Sequence, residues 1–258
     1  MFSGKWFWAK LITAVLAAML IATMCRGPDK SLTFDGAPDD VAEGRELVIL
    51  LHGLARTSYS MRKMERELQD AGYLTLNRWY PSRRHTVEEL VEEFMEPLVD
   101  EVEEKRGPER IHFVTHSLGS IMVRSYAEKN GPDRIGRVVM LAPPNQGSEM
   151  ADRLKGFAPF RWIFGKPAAE LGTGEDDVPA GLPPPRFEVG VIAGTHSWWN
   201  PLAWGWIPGE SDGTVKVERT RVEGMADFRK VSAGHSLLMR KREVIELTKR
   251  FLETGEFD

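Results

Sequence analysis

Ile111-His-Phe-Val-Thr-His-Ser-Leu-Gly119 joins five residues of strand character to a helical pattern that runs on from Leu118 to about Asn130. Between them stands a serine. A strand that gives way to a helix within two residues must turn sharply, which strains the backbone at Ser117 and lifts its hydroxyl above the strand ends. That is the setting of a nucleophile elbow. Small neighbours make room for the turn, and Gly119 fits that need. Thr115 stands where the Gly-x-Ser-x-Gly pattern has its first glycine, and its β-branch crowds the position. The competing reading is a serine that only caps the helix N-terminus.

A hydroxyl needs an adjacent base to act as a nucleophile at neutral pH. The chain has six histidines. His52 and His116 are built into loops beside the elbow and read as structural. His112 lies inside the strand and reads as a satisfied core residue. His85 precedes Ser117, against the Ser…Asp…His chain order of elbow folds. His235, in Ser232-Ala-Gly-His-Ser236 between the last strand and the last helix, is the expected base; His196, at the head of a Trp-rich loop, is its rival. The acid that orients the base should follow the penultimate strand. Glu210-Ser-Asp-Gly-Thr-Val215 offers Asp212 there, although Asp-Gly is also ordinary turn composition. Asp176, Asp177 and Glu210 are the alternatives. A developing oxyanion needs two backbone N–H donors: Leu118, directly after the serine, and Leu54, in His52-Gly53-Leu54 after the first strand.

Outward from this centre the pattern alternates. The apolar run Glu46-Leu-Val-Ile-Leu-Leu51 has the length of a strand buried on both faces. Met61, Met64 and Leu68 share a helix face that Ala71-Gly72 closes, and Tyr73 to Trp79 alternates as a second strand. Thr86-Val-Glu-Glu89 is a capping box opening an acidic helix with the apolar face Leu90, Phe94, Leu98 and Val102. Pro97 should kink it. Strands over Arg137–Leu141, Phe187–Ala193 and Phe228–Val231 and a helix over Leu237–Leu252 complete the chain. This rhythm predicts an α/β fold: a mostly parallel central sheet with helices on both faces.

Composition agrees with one globular domain. Of 258 residues, 42% are hydrophobic and 28% charged, and the net charge of −4 argues against a nucleic-acid surface. The one cysteine, Cys25, excludes an intramolecular disulfide and a thiolate metal cluster, and no ligand spacing supports a metal. No cofactor is expected. Lys5 and Lys10 precede the apolar run Leu11–Met24, so residues 1–26 read as an export signal or anchor, retained or cleaved. Trp6, Phe7 and Trp8 extend the run toward the roughly 20 apolar residues of a spanning helix. The expectation is export, to an inner-membrane anchored, periplasmic or secreted location, with membrane association through this segment. Residues 27–45 form a polar linker and 46–258 the folded domain.

Leu-Leu-His-Gly-Leu54, Thr-His-Ser-Leu-Gly119, Ser-Asp-Gly-Thr-Val215 and Gly-His-Ser236 together resemble the α/β-hydrolase superfamily, in particular small bacterial lipases and esterases. Leu141-Ala-Pro-Pro-Asn-Gln-Gly-Ser-Glu-Met-Ala-Asp152 resembles a segment of the same group. The resemblance covers about residues 46 to 252. It implies an enzyme that hydrolyses a carboxylic ester, a small-molecule or lipid ester, through an acyl-serine intermediate. Acyl transfer from the same intermediate and a non-catalytic binding protein are the competing classes; a binding protein has no need of Ser117, Asp212 and His235 together. Phe157, Phe160, Trp162 and Phe164, then Trp198, Trp199, Trp204 and Trp206, crowd a Pro- and Gly-rich stretch over about 153–210. Two readings of it stand open. One is a lid-like insertion in which Trp198, Trp199 and Trp204 touch substrate. The other is a set of loop residues packed on the core.

Overall fold

The computed structural model describes residues 46–106, 110–156, 162, 164–197 and 207–258. The expected signal or anchor (1–26), the linker (27–45) and Trp198, Trp199 and Trp204 lie outside the described residues.

Six strands make up one sheet: β1 (Leu47–Leu51), β2 (Leu74–Arg78), β3 (Ile111–His116), β4 (Ile135–Leu141), β5 (Val189–Gly194) and β6 (Asp227–Val231). Their order is β2-β1-β3-β4-β5-β6, and every neighbouring pair is parallel. The expected mostly parallel sheet is therefore wholly parallel among the described residues. Parallel strands need covered faces on both sides, which is why their sequences are apolar without alternation. Val48, Leu50, Val114, Val139, Leu141 and Ile192 face one layer. There they meet Met64 and Leu68 of α1 (Arg62–Asp70) and Val244, Ile245 and Phe251 of α5 (Arg242–Thr254). The alternate residues Ile49, Leu51, Phe113, Val138, Met140 and Val191 face the other layer.

That second layer holds α2 (Val87–Leu90), α3 (Glu96–Arg106) and α4 (Leu118–Asn130). The capping box at α2 forms as expected: Glu89 N–H donates to Thr86 Oγ1 at 3.1 Å, and Thr86 N–H to the Glu89 carboxylate at 2.8 Å. Pro97 acts differently from the expected simple kink. One π turn, Val91–Met95, joins α2 to α3, with Glu96 N–H reaching back to Val91 O. Proline has no N–H and its ring crowds the carbonyl four residues earlier, and the wider turn just before it relieves both. The wider turn also moves the apolar face by one residue. Met95 points into the core, and Phe94, expected there, is only half-buried. At the other end of the chain the expected helix over Leu237–Leu252 is two pieces, a 3-10 turn at Leu238–Arg240 and then α5.

Winding runs from β1 outward to β2, then returns to β3 and continues through β4, β5 and β6. The direction thus reverses between β1 and β3. Loops leaving the C-terminal ends of those two strands diverge there, and such a point is where doubly wound sheets hold ligands. The loops in question are His52–Arg56 and the turn at Ser117.

Candidate active site

Ser117 occupies φ 52°, ψ −117°, a region that L-residues rarely adopt. The direct passage from β3 into α4 forces it, as the elbow reading requires. Space around the elbow is limited. A Cβ on Gly119 would stand 2.9 Å from both Leu51 Cβ and Leu51 O, so only glycine lets α4 start this close to β1. Thr115, despite its β-branch, is accommodated: its hydroxyl pairs with Ser120 Oγ at 2.8 Å inside the core. Because Leu118 is the first residue of α4, its N–H has no carbonyl of its own helix to bond.

The other histidine candidates separate cleanly. His235 Nε2 lies 3.1 Å from Ser117 Oγ. His196 instead sits beside Ser232, its Nδ1 3.5 Å from that hydroxyl, and its N–H donates to Ala233 O. His112 is a core residue whose Nδ1 accepts from Arg137 N–H at 2.8 Å. His85 lies against Glu89 and Glu93 on α2 and the π turn. On its far side, His235 Nδ1 stands 2.7 Å from Asp212 Oδ2. The second oxygen of Asp212 accepts from Thr214 N–H at 2.9 Å and Val215 N–H at 2.8 Å. Asp212 is wholly buried, and its carbonyl also accepts the N–H of His235 at 3.0 Å. Asp177, one of the alternatives, bonds Gly174 N–H and Lys155 in a surface loop. Glu210 pairs with Lys230.

After β1 the loop is built for close approach. A Cβ on Gly53 would come 2.5 Å from His116 Nδ1 and 3.2 Å from Ser117 Cβ, so the main chain before Leu54 rests against the nucleophile turn. Arg56 N–H closes the loop onto Gly53 O, and Ala55, at φ 53°, donates to Ser82 Oγ at 3.1 Å. His52 anchors it from below. Its ring stacks on Tyr80 with centroids 4.1 Å apart, its Nδ1 faces Gly53 O, and its Nε2 accepts from Tyr80 N–H. Burial holds its pKa down to about 4, against the Gly53 hydrogen bond that favours the charged form. Burial likewise pushes the Tyr80 phenol well up. Leu54, on the loop after β1, and Leu118, at the head of α4, thus stand on two segments that converge at Ser117.

Sequence reasoning passed over several supports of this arrangement. Ser148 Oγ donates to Thr214 O at 2.7 Å and so braces the Asp212 turn. Arg56 bonds Ser236 Oγ, next to the base. Arg124, on α4, is buried and donates to Asn145 O at 3.0 Å and Leu182 O at 2.8 Å, tying the elbow helix to the loops beyond β4. None carries a local signal, since each depends on a partner at least 21 residues away. A cavity of about 600 Å³ opens at the opposite, N-terminal edge of the sheet among Arg110, His112, Arg137 and Glu188, far from Ser117.

A family model described as the alpha/beta hydrolase fold matches residues 46–163. No curated protein matches the chain in sequence. Among solved structures, the mature lipase BlEst2 of Bacillus licheniformis superposes with a TM-score of 0.67 at 17% identity, over 86% of this chain and 96% of that one. Phospholipase PlaB of Legionella pneumophila gives 0.60 at 20% identity, over 83% of this chain but 58% of its own length. A metagenomic carboxyl esterase, MGS0156, gives 0.55 at 17% identity, over 83% of this chain and 71% of that one. The chain has the α/β-hydrolase fold, and its neighbours in that fold include lipases and esterases.

Proposed function

We propose that this chain is a serine hydrolase that cleaves carboxylic esters through an acyl-serine intermediate. One observation carries the reading: Ser117 Oγ, His235 and Asp212 form an unbroken hydrogen-bonded line of 3.1 Å and 2.7 Å at the reversal point of the sheet. In the proposed first step His235 Nε2 takes the Ser117 proton as Oγ bonds to the ester carbonyl carbon. The carbonyl oxygen becomes an oxyanion, received by the N–H groups of Leu54 and Leu118. Collapse expels the alcohol, which leaves with the proton held on His235. Water then gives a proton to the same nitrogen as its oxygen bonds to the acyl carbon; collapse breaks the bond to Oγ, His235 returns the proton to Oγ, and the acid and free Ser117 result. Asp212 keeps the His235 proton on Nδ1 in the resting state and faces the imidazolium while it lasts.

Lipase and esterase neighbours support an ester or lipid substrate, with Trp198, Trp199 and Trp204 proposed along the acyl chain. Each methylene they enclosed would favour binding by about 0.8 kcal/mol. A fluorophosphonate probe and a chain-length series of p-nitrophenyl esters test the proposal together. The probe should label Ser117, and Ser117→Ala should abolish both labelling and turnover. Labelling that survives Ser117→Ala would overturn the assignment of the nucleophile. Trp198→Ala and Trp204→Ala should flatten the rise of kcat/KM with chain length; an unchanged profile would remove these residues from the acyl groove.

A further inference from the structure

His116 precedes the nucleophile and plays no part in the steps above, yet it is buried against all of the machinery. Its Nε2 lies 2.9 Å from the carbonyl oxygen of His235, 119 residues away in sequence. The two imidazoles are 4.8 Å apart and inclined by 50°. On the other side of the ring, Nδ1 is buried with no hydrogen-bond partner and faces the main chain of Gly53. A carbonyl accepts only from a protonated nitrogen, so Nε2 carries the proton. A proton on Nδ1 would be a buried donor without an acceptor, so Nδ1 is bare. The ring is therefore a neutral Nε2–H tautomer.

His235 is consequently gripped at three points. Asp212 Oδ2 holds its ring, Asp212 O accepts its N–H, and His116 holds its C=O. We propose that His116 is a positioning residue: its Nε2–H fixes the main chain that carries the base, and its ring spaces that chain from the oxyanion loop at Gly53. The inference rests on the serine-hydrolase reading of the same site. The groups facing the ring are His235, Arg56 and His52, and burial together with these neighbours keeps its pKa well below the usual histidine range. A second positive charge beside the His235 imidazolium is thereby avoided during turnover. His116 is a donor placed next to the nucleophile, and it acts through the main chain of His235 and of Gly53, not on the substrate.

Two variants and one measurement on the unaltered protein test this. His116→Phe keeps a ring and removes the donor; His116→Gln keeps an amide N–H at about the reach of Nε2. The Phe variant should lose between about tenfold and a hundredfold in kcat and in the rate of fluorophosphonate labelling, with KM nearly unchanged, as expected when a base is displaced by a fraction of an ångström. The Gln variant should regain most of that loss. A Phe variant as fast as the unaltered protein, or equal losses in both, would overturn the proposal. Nitrogen-15 NMR of the unaltered protein bears on it even where a variant fails to fold. It should show the neutral Nε2–H tautomer at His116 with no titration between about pH 5 and 8; an Nδ1–H tautomer or a titrating ring would also overturn it. If the unaltered protein does not react with the probe at all, the serine-hydrolase reading fails instead, and the NMR result is unaffected.

Discussion

Asp212 uses its two oxygens separately. Oδ1 accepts from the backbone of Thr214 and Val215, which makes Asp-Gly the turn its composition suggests, and Oδ2 faces His235. The turn reading and the catalytic reading of Ser-Asp-Gly-Thr are therefore both satisfied by one carboxylate. Asp212→Asn should keep the turn while presenting an amide to Nδ1, which selects the wrong tautomer of the base. His235→Ala should lower kcat at least ~10³-fold, and Asp212→Asn by a large but smaller factor, with thermal midpoints little changed. Kinetics on a short-chain ester check this, and a larger loss from His196→Ala would mean the wrong base was chosen. His52 makes a different prediction, because it is neutral and buried. Its folded pKa of about 4 lies below the ordinary 6.5, so between those values the unfolded chain binds more protons than the folded one. Stability is then fully present above about pH 6.5 and falls as pH drops, by about 2 kcal/mol between pH 7 and pH 5 from this residue alone. Denaturant titrations at both pH values should show the fall, and His52→Gln should remove part of it. Equal midpoints at pH 7 and pH 5 would contradict the account.

At the scale of elements, α4 sets the position of the nucleophile, and Arg124 sets the position of α4. Its guanidinium lies in the interior among the carbonyls of Asn145, Leu182 and Pro183, and burial lowers its pKa to about 10. Its N–H groups donate to those three carbonyl oxygens and to Asn145 Oδ1, so neutral oxygens face the charge. Arg124→Leu would leave the buried Asn145 carbonyl without its donor, while Leu182 O and Pro183 O are open enough to turn to water, a loss of roughly 1–3 kcal/mol. Thr86→Ala, which removes one exposed-end cap of α2, should cost only about 1 kcal/mol. Chemical denaturation of the two variants tests the ranking; a larger loss for Thr86→Ala would refute it. The π turn before Pro97 belongs to this scale too. Proline announced an irregularity, but whether it would be a bend or a widened turn depended on which of Phe94 and Met95 the core could receive.

For the molecule as a whole, among the described residues no helix is long and apolar enough to cross a membrane. The basic and apolar residues before Gly27 lie outside that description, so export stays a proposal from sequence. An alkaline-phosphatase reporter fused after Asp258 should be active in a bacterial host. An inactive reporter with the intact protein in the cytosol would refute it.

Strand and helix periods, the elbow at Ser117 and the chain order of serine, acid and base follow from local composition and spacing, and these were enough for the sequence alone to determine the fold and name the three candidate residues. Local signals act over a few residues, and each of these does. The choice between His196 and His235 differs in kind. Both follow strands on the same edge of the sheet, and only the packing of β5 and β6 brings one ring to Ser117 and turns the other toward Ser232. The hold of His116 on His235 and of Arg124 on the loops beyond β4 was likewise decided by tertiary structure. A buried donor and its acceptor are matched by geometry across the fold, and no pattern along the chain records which distant carbonyl a side chain will meet.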